Sequence, residues 1–404
     1  MSLPRRSKPR WRNSLLGLLF GLGGFGLAEA ETPADQPVAK LGDQQISVGA
    51  GEGDGTLLVF ASRSLLARSA GVKRVLVMIP GRDRAADKIQ AIGVAAARKS
   101  PEILVAAPQF LDETDVRRWK LPADRLRWQG DAWAAGAPAL GPNPISAFSA
   151  LDALLGWLAD PGVLPDLKTI VIAGTGAGGE LVQRYAAVAK GLPAIEARGI
   201  ALRYVVADAP SYLYFDPTRP VATDPASCPG VDRWPYGLDG APAYVTGQPR
   251  AGIEPRYRAR DVRYLLGPGI DADAGCAAAA EGGTRLERGR LYQGYLAARA
   301  KAPVHRLAEI AAPGDAFASD CGLAALLDQP GCPALDAPAA PPPPPTTTSP
   351  APDASPSPPP LPPAPSTGVV PESADPLAPA DPIGPLLTRP VVPSPPPNRS
   401  SSPG

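Results

Sequence analysis

Between residues 45 and 333 the chain alternates two kinds of segment. Short runs are apolar at nearly every position: "TLLVFAS" (56–62), "RVLVMIP" (74–80), "EILVAAP" (102–108), "TIVIAG" (169–174), "RYVVAD" (203–208), "VRYLLG" (262–267) and "HRLAEIA" (305–311). Longer segments between them repeat apolar residues every three to four positions: Ala85–Lys99, Ala147–Ala159, Ala177–Ala189, Arg285–Ala300 and Asp315–Leu327. Strands apolar on both faces and separated by helices predict a mostly parallel sheet covered on both sides. The expected fold is therefore a doubly wound α/β domain, with functional residues at the carboxyl ends of its strands.

The flanks break this pattern. Residues 1–30 combine a basic start (Arg5, Arg6, Lys8, Arg10, Arg12), a short apolar run from Leu15 to Leu27, and Ala28-Glu29-Ala30. The run falls short of the ~20 residues that span a bilayer, and the small-x-small ending predicts a cleaved export signal with a mature start at Glu31. Residues 31–44 read as a linker and 45–333 as the domain. From 334 to 404 the chain reads as a tail, and from Pro338 onward it is dominated by proline, serine, threonine and alanine. Proline lacks the amide donor, and too few large apolar residues remain to offset ordering entropy, so a disordered, polyproline-rich tail is expected. Such a tail suits a spacer to the cell wall or a contact for a protein partner, in the periplasm or outside the cell.

Charge narrows the functional classes. The chain has 40 Lys+Arg and 39 Asp+Glu, and removing residues 1–30 leaves 35 and 38. No basic footprint for nucleic acid exists on this balance. "RYRARDVR" (256–263) is basic only locally and reads as a solvated strand edge. Four cysteines in an exported chain predict two disulfides; three pairings are open, of which Cys228–Cys276 and Cys321–Cys332 are preferred. No spacing suggests a metal site. The chain has one histidine, His305, which reads as a partly exposed residue at a strand start.

The stretch "TIVIAGTGAGGELVQRYAA" (169–187) has two readings. As Gly174-x-Gly176-x-x-Gly179 it is a dinucleotide turn, but that motif expects an acidic residue about twenty positions on. Glu196 stands nearer to that distance but in a connecting loop, and the next strand ends only at Asp208. As Gly174-x-Gly176-x-Gly178 it is a hydrolase nucleophile turn without its serine.

The second reading gathers more of the chain. "IPGRDRAAD" (79–87), "ISAFSALDALLGWL" (145–158), "AGTGAGGELVQRYA" (173–186), "DAPSYLYF" (208–215), "CPGVDRWPYGL" (228–238), "YLLGPGID" (264–271) and "CAAAAEGGTRLERGRLYQGYL" (276–296) follow in order. Together they resemble exported bacterial α/β-hydrolases of the serine esterase and lipase type, from about residue 45 to 327. The resemblance implies an α/β-hydrolase fold, a nucleophile at position 176, and an oxyanion hole at Gly81 and Ala177. It places an acid at Asp271, with Asp273 competing, and a histidine base at position 315. Here Gly176 and Asp315 stand in for serine and histidine, Pro80-Gly81 for His-Gly, and Ala85 for an asparagine. Neither Gly176 nor Asp315 can perform the triad's proton relay. Arg184-Tyr185-Ala186, Tyr212-Leu213-Tyr214 and Trp234 are kept and read as packing residues.

The expectation is a non-catalytic pseudo-hydrolase that binds or scaffolds, without cofactor or metal, and whose retained cleft takes a small ester, acyl or sugar-like ligand. Two alternatives stand beside it. One is an active esterase with a displaced nucleophile such as Ser211, for which no base is evident. The other is nucleotide binding at Gly174–Gly179.

Overall fold

A computed structural model describes residues 36–50, 53–269, 275–300, 305–311 and 316–336. The proposed export signal, most of the tail, Asp271, Asp273 and Asp315 lie outside the described residues. Eight strands form the main sheet: β1 (Gln44–Ala50), β2 (Gly53–Ala61), β3 (Arg74–Ile79), β4 (Ile103–Gln109), β5 (Thr169–Thr175), β6 (Ala201–Ala207), β7 (Asp261–Leu266) and β8 (Arg306–Glu309). Their spatial order is β1-β2-β4-β3-β5-β6-β7-β8. β2 runs antiparallel to both β1 and β4, and every other neighbouring pair is parallel. An antiparallel second strand and a β4–β3 crossover on an otherwise parallel sheet define the α/β-hydrolase fold.

The apolar runs are continuous because the sheet is buried on both faces. Along β3, Val75, Val77 and Ile79 enter one core while Leu76 and Met78 enter the other. β5 divides likewise, with Ile170 and Ile172 on one side and Val171 and Ala173 on the other. Helices α1 (Ala86–Ala96) and α6 (Asp320–Leu327) cover the second core. Helices α3 (Ala147–Leu158), α4 (Ala177–Val188) and α5 (Arg285–Ala298) cover the first, while the short α2 (Glu113–Trp119) follows β4. β1 and α2 were not anticipated from the sequence. The helix expected from Asp315 starts at Asp320, later than the pattern suggested, and a short helix, Pro333–Asp336, follows it.

Two disulfides link Cys228 to Cys276 and Cys321 to Cys332, the preferred pairing. The segment 256–263 corrects its sequence reading. Arg256 and Arg258 end a short helix, Ile253–Arg258, and β7 is an inner strand paired on both sides. Arg263 is buried there because its guanidinium has specific partners at the amino ends of the strands. Arg74, Arg203 and Arg263 converge on Asp328 at 2.8, 2.7 and 3.1 Å. They also donate to the last carbonyls of α6: Leu326 at 2.9 Å, Ala325 at 3.3 Å and Ala324 at 2.8 Å. These carbonyls lie in the last helical turn, where Ala324 also accepts the Asp328 amide at 3.1 Å, so three cations there complement the helix end.

Candidate functional site

The elbow forms where β5 meets α4. Gly176 lies between them at φ 55° and ψ −123°, a conformation that L side chains rarely adopt. Its amide donates to the Ala207 carbonyl at 3.1 Å, and its carbonyl accepts the first helical bond from Glu180 at 3.0 Å. The other glycines of the motif answer to packing. A Cβ on Gly174 would lie 2.3 Å from the Gly178 carbonyl oxygen, and one on Gly179 would lie 2.6 Å from that of Ala207. A Cβ on Gly178 would meet the Pro80 and Ile79 carbonyl oxygens at 2.5 and 2.6 Å. Gly178 thus lets the first turn of α4 sit directly against the end of β3, where the oxyanion turn begins.

That turn holds the other expected donor. The Arg84 amide closes it onto the Gly81 carbonyl at 3.0 Å, and Arg82 pairs with Asp131 at 3.2 Å on its outer side. Gly81 faces the Thr175 carbonyl. The two expected oxyanion positions, Gly81 and Ala177, are therefore brought to one edge of the sheet with the apex between them. What is missing is a side chain at the apex. Gly176 is buried and Ala177 is only 4% exposed, so the start of α4 is closed over. A dinucleotide turn needs its helix start open to a pyrophosphate, and the close backbone contacts explain the glycines without one.

Asp208, the residue after β6, stands beside this edge at φ 46°. One carboxylate oxygen accepts the Gly267 amide at 2.5 Å, fixing the start of the loop after β7. Burial raises its pKa, against the lowering effects of that bond and of Arg285. It holds the start of that loop in position.

Ser211 is 2% exposed. Arg184 donates to its oxygen at 2.7 Å, and its hydroxyl donates to the Glu180 carboxylate, which Arg184 also pairs at 3.3 Å. The sequence reading found no base for Ser211; the structure places a carboxylate there, one helical turn beyond the apex. Glu180 was overlooked because its role depends on a serine thirty-one residues away in sequence. Nearby, Glu281 is fully buried and accepts the Tyr212 amide at 2.9 Å; its burial pushes its pKa well up. Tyr185, Tyr212 and Tyr214 are wholly buried, and the Trp234 indole donates to the Ala135 carbonyl at 2.8 Å, which fits the packing role expected for them.

His305 corrects another expectation. It is 3% exposed, with Nε2 at 3.1 Å from the Tyr257 carbonyl and its ring edge-on to Tyr257 at 4.7 Å. Burial lowers its pKa to about 4. It precedes β8 at the amino end of the strand, opposite the edge that carries Gly176. Aromatic packing, rather than exposure, fixes its place.

Among the described residues no group of acidic, histidine or cysteine side chains could hold a metal ion. None of their helices is long and apolar enough to cross a membrane.

No protein-family model matches the chain, and no curated protein matches it significantly. Solved structures do. Poly(aspartic acid) hydrolase-1 from Sphingomonas sp. KT-1 is similar at 19% identity, over 70% of this chain and 96% of that one, with a TM-score of 0.45. LpqC, a poly(3-hydroxybutyrate) depolymerase from Bordetella parapertussis, is similar at 19% identity, over 70% and 90%, with a TM-score of 0.48. At such identity a likeness speaks to fold alone, and here the strand order states the fold independently.

Proposed function

We propose that this chain is an exported α/β-hydrolase-fold protein that does not hydrolyse esters and acts by binding or as a scaffold. One observation carries the reading: the apex of an otherwise complete elbow is Gly176, which has no side chain. Acyl transfer at such an apex uses a hydroxyl or thiol there, with a base, most often an imidazole, beside it. The single imidazole of the chain is buried at the opposite end of the sheet. The four cysteines are tied in disulfides, which also suits an oxidising compartment.

Glu180 gives the displaced-nucleophile reading its one support, because its carboxylate accepts a hydrogen bond from the Ser211 hydroxyl. Burial and the Arg184 bond oppose it: an oxygen pinned by a guanidinium in a closed site has no approach for a carbonyl carbon. A panel of short activated and natural esters tests the proposal. Turnover at the buffer rate supports a binding protein. Turnover abolished by Ser211→Ala, in a variant with unchanged circular dichroism, establishes the displaced nucleophile instead. Calorimetric titration with nucleotides tests the remaining reading and is expected to give no heat of binding.

A further inference from the structure

Residues 36–42 lie against the domain as an arm that bends at Ala39 and Lys40, and side chains of the domain capture its backbone at alternate residues. Arg84 donates to the Gln36 carbonyl at 2.9 Å. Asp115 accepts the Val38 amide at 2.7 Å, and the Trp119 indole donates to the Val38 carbonyl at 3.1 Å. Gln109 donates to the Lys40 carbonyl at 2.8 Å and accepts the Gly42 amide at 2.9 Å. Capture of backbone groups fixes the path of a bound peptide, and contacts to particular side chains supply selectivity.

The alternate side chains are selected too. Val38 is buried against Leu58 and Leu111, with Leu41 and Leu121 around it. Lys40 pairs with Asp87 at 3.3 Å. Gly42 is required by sterics, since a Cβ there would lie 2.7 Å from the Val59 amide nitrogen and 2.9 Å from its carbonyl carbon. Pro37 and Ala39, between them, are exposed. The polar floor is also tied within the domain: Asp115 accepts the Asp112 amide at 2.8 Å, and Arg84 pairs with Asp112 at 2.9 Å and Asp115 at 3.3 Å.

We infer that this groove is a peptide-recognition site for a Val-x-Lys-x-Gly segment, occupied in cis by residues 36–42 and able to take the same segment from a second copy of the chain. The second copy is the fitting source because all three selected positions are met by this chain's own arm. The groove lies away from the elbow, and the inference does not depend on the protein being non-catalytic. Arg84 links the two regions, because its amide closes the Gly81 turn while its guanidinium holds the arm.

The test uses the full chain carrying Val38→Asp, which places a charge in the apolar pocket and releases the arm, and a fluorescent peptide copy of residues 36–43. Anisotropy is expected to show saturable binding to the variant and binding about tenfold or more weaker to the wild type, whose tethered arm competes at a high effective concentration. A peptide with the same Val→Asp change is expected not to bind. Equal binding to variant and wild type, binding of the altered peptide, or no binding to a folded variant overturns the inference. Should Val38→Asp fail to fold, amide exchange in the wild type decides. An exchangeable arm exposes the Val38 and Gly42 amides at least about tenfold faster than those of β5. Exchange as slow as β5 would mean that the arm is an inseparable part of the core.

Discussion

The two ends of the sheet are built on different terms. At the amino ends, long side chains do the holding: Arg74, Arg203 and Arg263 grip Asp328 and the last carbonyls of α6, and His305 is packed between tyrosines. At the carboxyl ends, around Gly174, Gly178 and Gly179, backbone meets backbone so closely that no Cβ fits. A change of side chain at one end therefore leaves the fold's supports at the other untouched. The elbow glycines persist because the α4–β3 approach has no room for a Cβ. No such constraint retains a hydroxyl at the apex.

The largest effect is expected at Gly178. Gly178→Ala should destabilise the domain by about 3 kcal/mol or more, because two backbone carbonyls must move rather than a side chain. Urea unfolding measures this, and a change below 1 kcal/mol (about a tenth of a typical domain's stability) would break the claim that packing retains the motif.

At the other end, His305 should make stability fall in acid. Its folded pKa, about 4, lies below the unfolded 6.5, so folding favours the neutral ring. That contribution is complete above pH 6.5 and is lost as the pH falls toward 4, amounting to about 2–4 kcal/mol. Melting curves of wild type and His305→Gln across this window should diverge in slope; parallel curves would mean that the ring is not buried neutral.

Asp328→Ala removes the shared partner of three arginines. Asp328 is half-exposed, which limits the loss to about 2 kcal/mol, with no change in any ligand affinity at the carboxyl ends. The smallest effect is expected at the apex. Gly176→Ser should cost about 1 kcal/mol for a side chain at positive φ and give no ester turnover, since the hydroxyl would have no base.

The doubly wound sheet was legible because both faces of each central strand are buried, which writes itself as unbroken apolar runs. The elbow was legible because tight backbone approach demands glycine. β1 was not legible: among the described side chains of "QQISVGA" Ile46 and Val48 alone are buried, and the exposed ones are small or polar. Nor was the burial of Arg263, whose strand reads as an edge until the arginine clasp is known. His305 looked exposed because nothing local in sequence announces Tyr257 and Tyr264 around it. At the candidate site, the empty apex could be read directly. Glu180 and the groove for residues 36–42 could not, because both consist of partners far apart in the chain.

The central claim is that the elbow has kept its backbone and lost its nucleophile. Incubating the purified wild-type chain with a fluorophosphonate probe, followed by intact mass measurement and peptide mapping, tests it most directly. The account predicts an unchanged mass. A single covalent adduct mapped to Ser211, or to any other hydroxyl at the carboxyl ends of the strands, would contradict it.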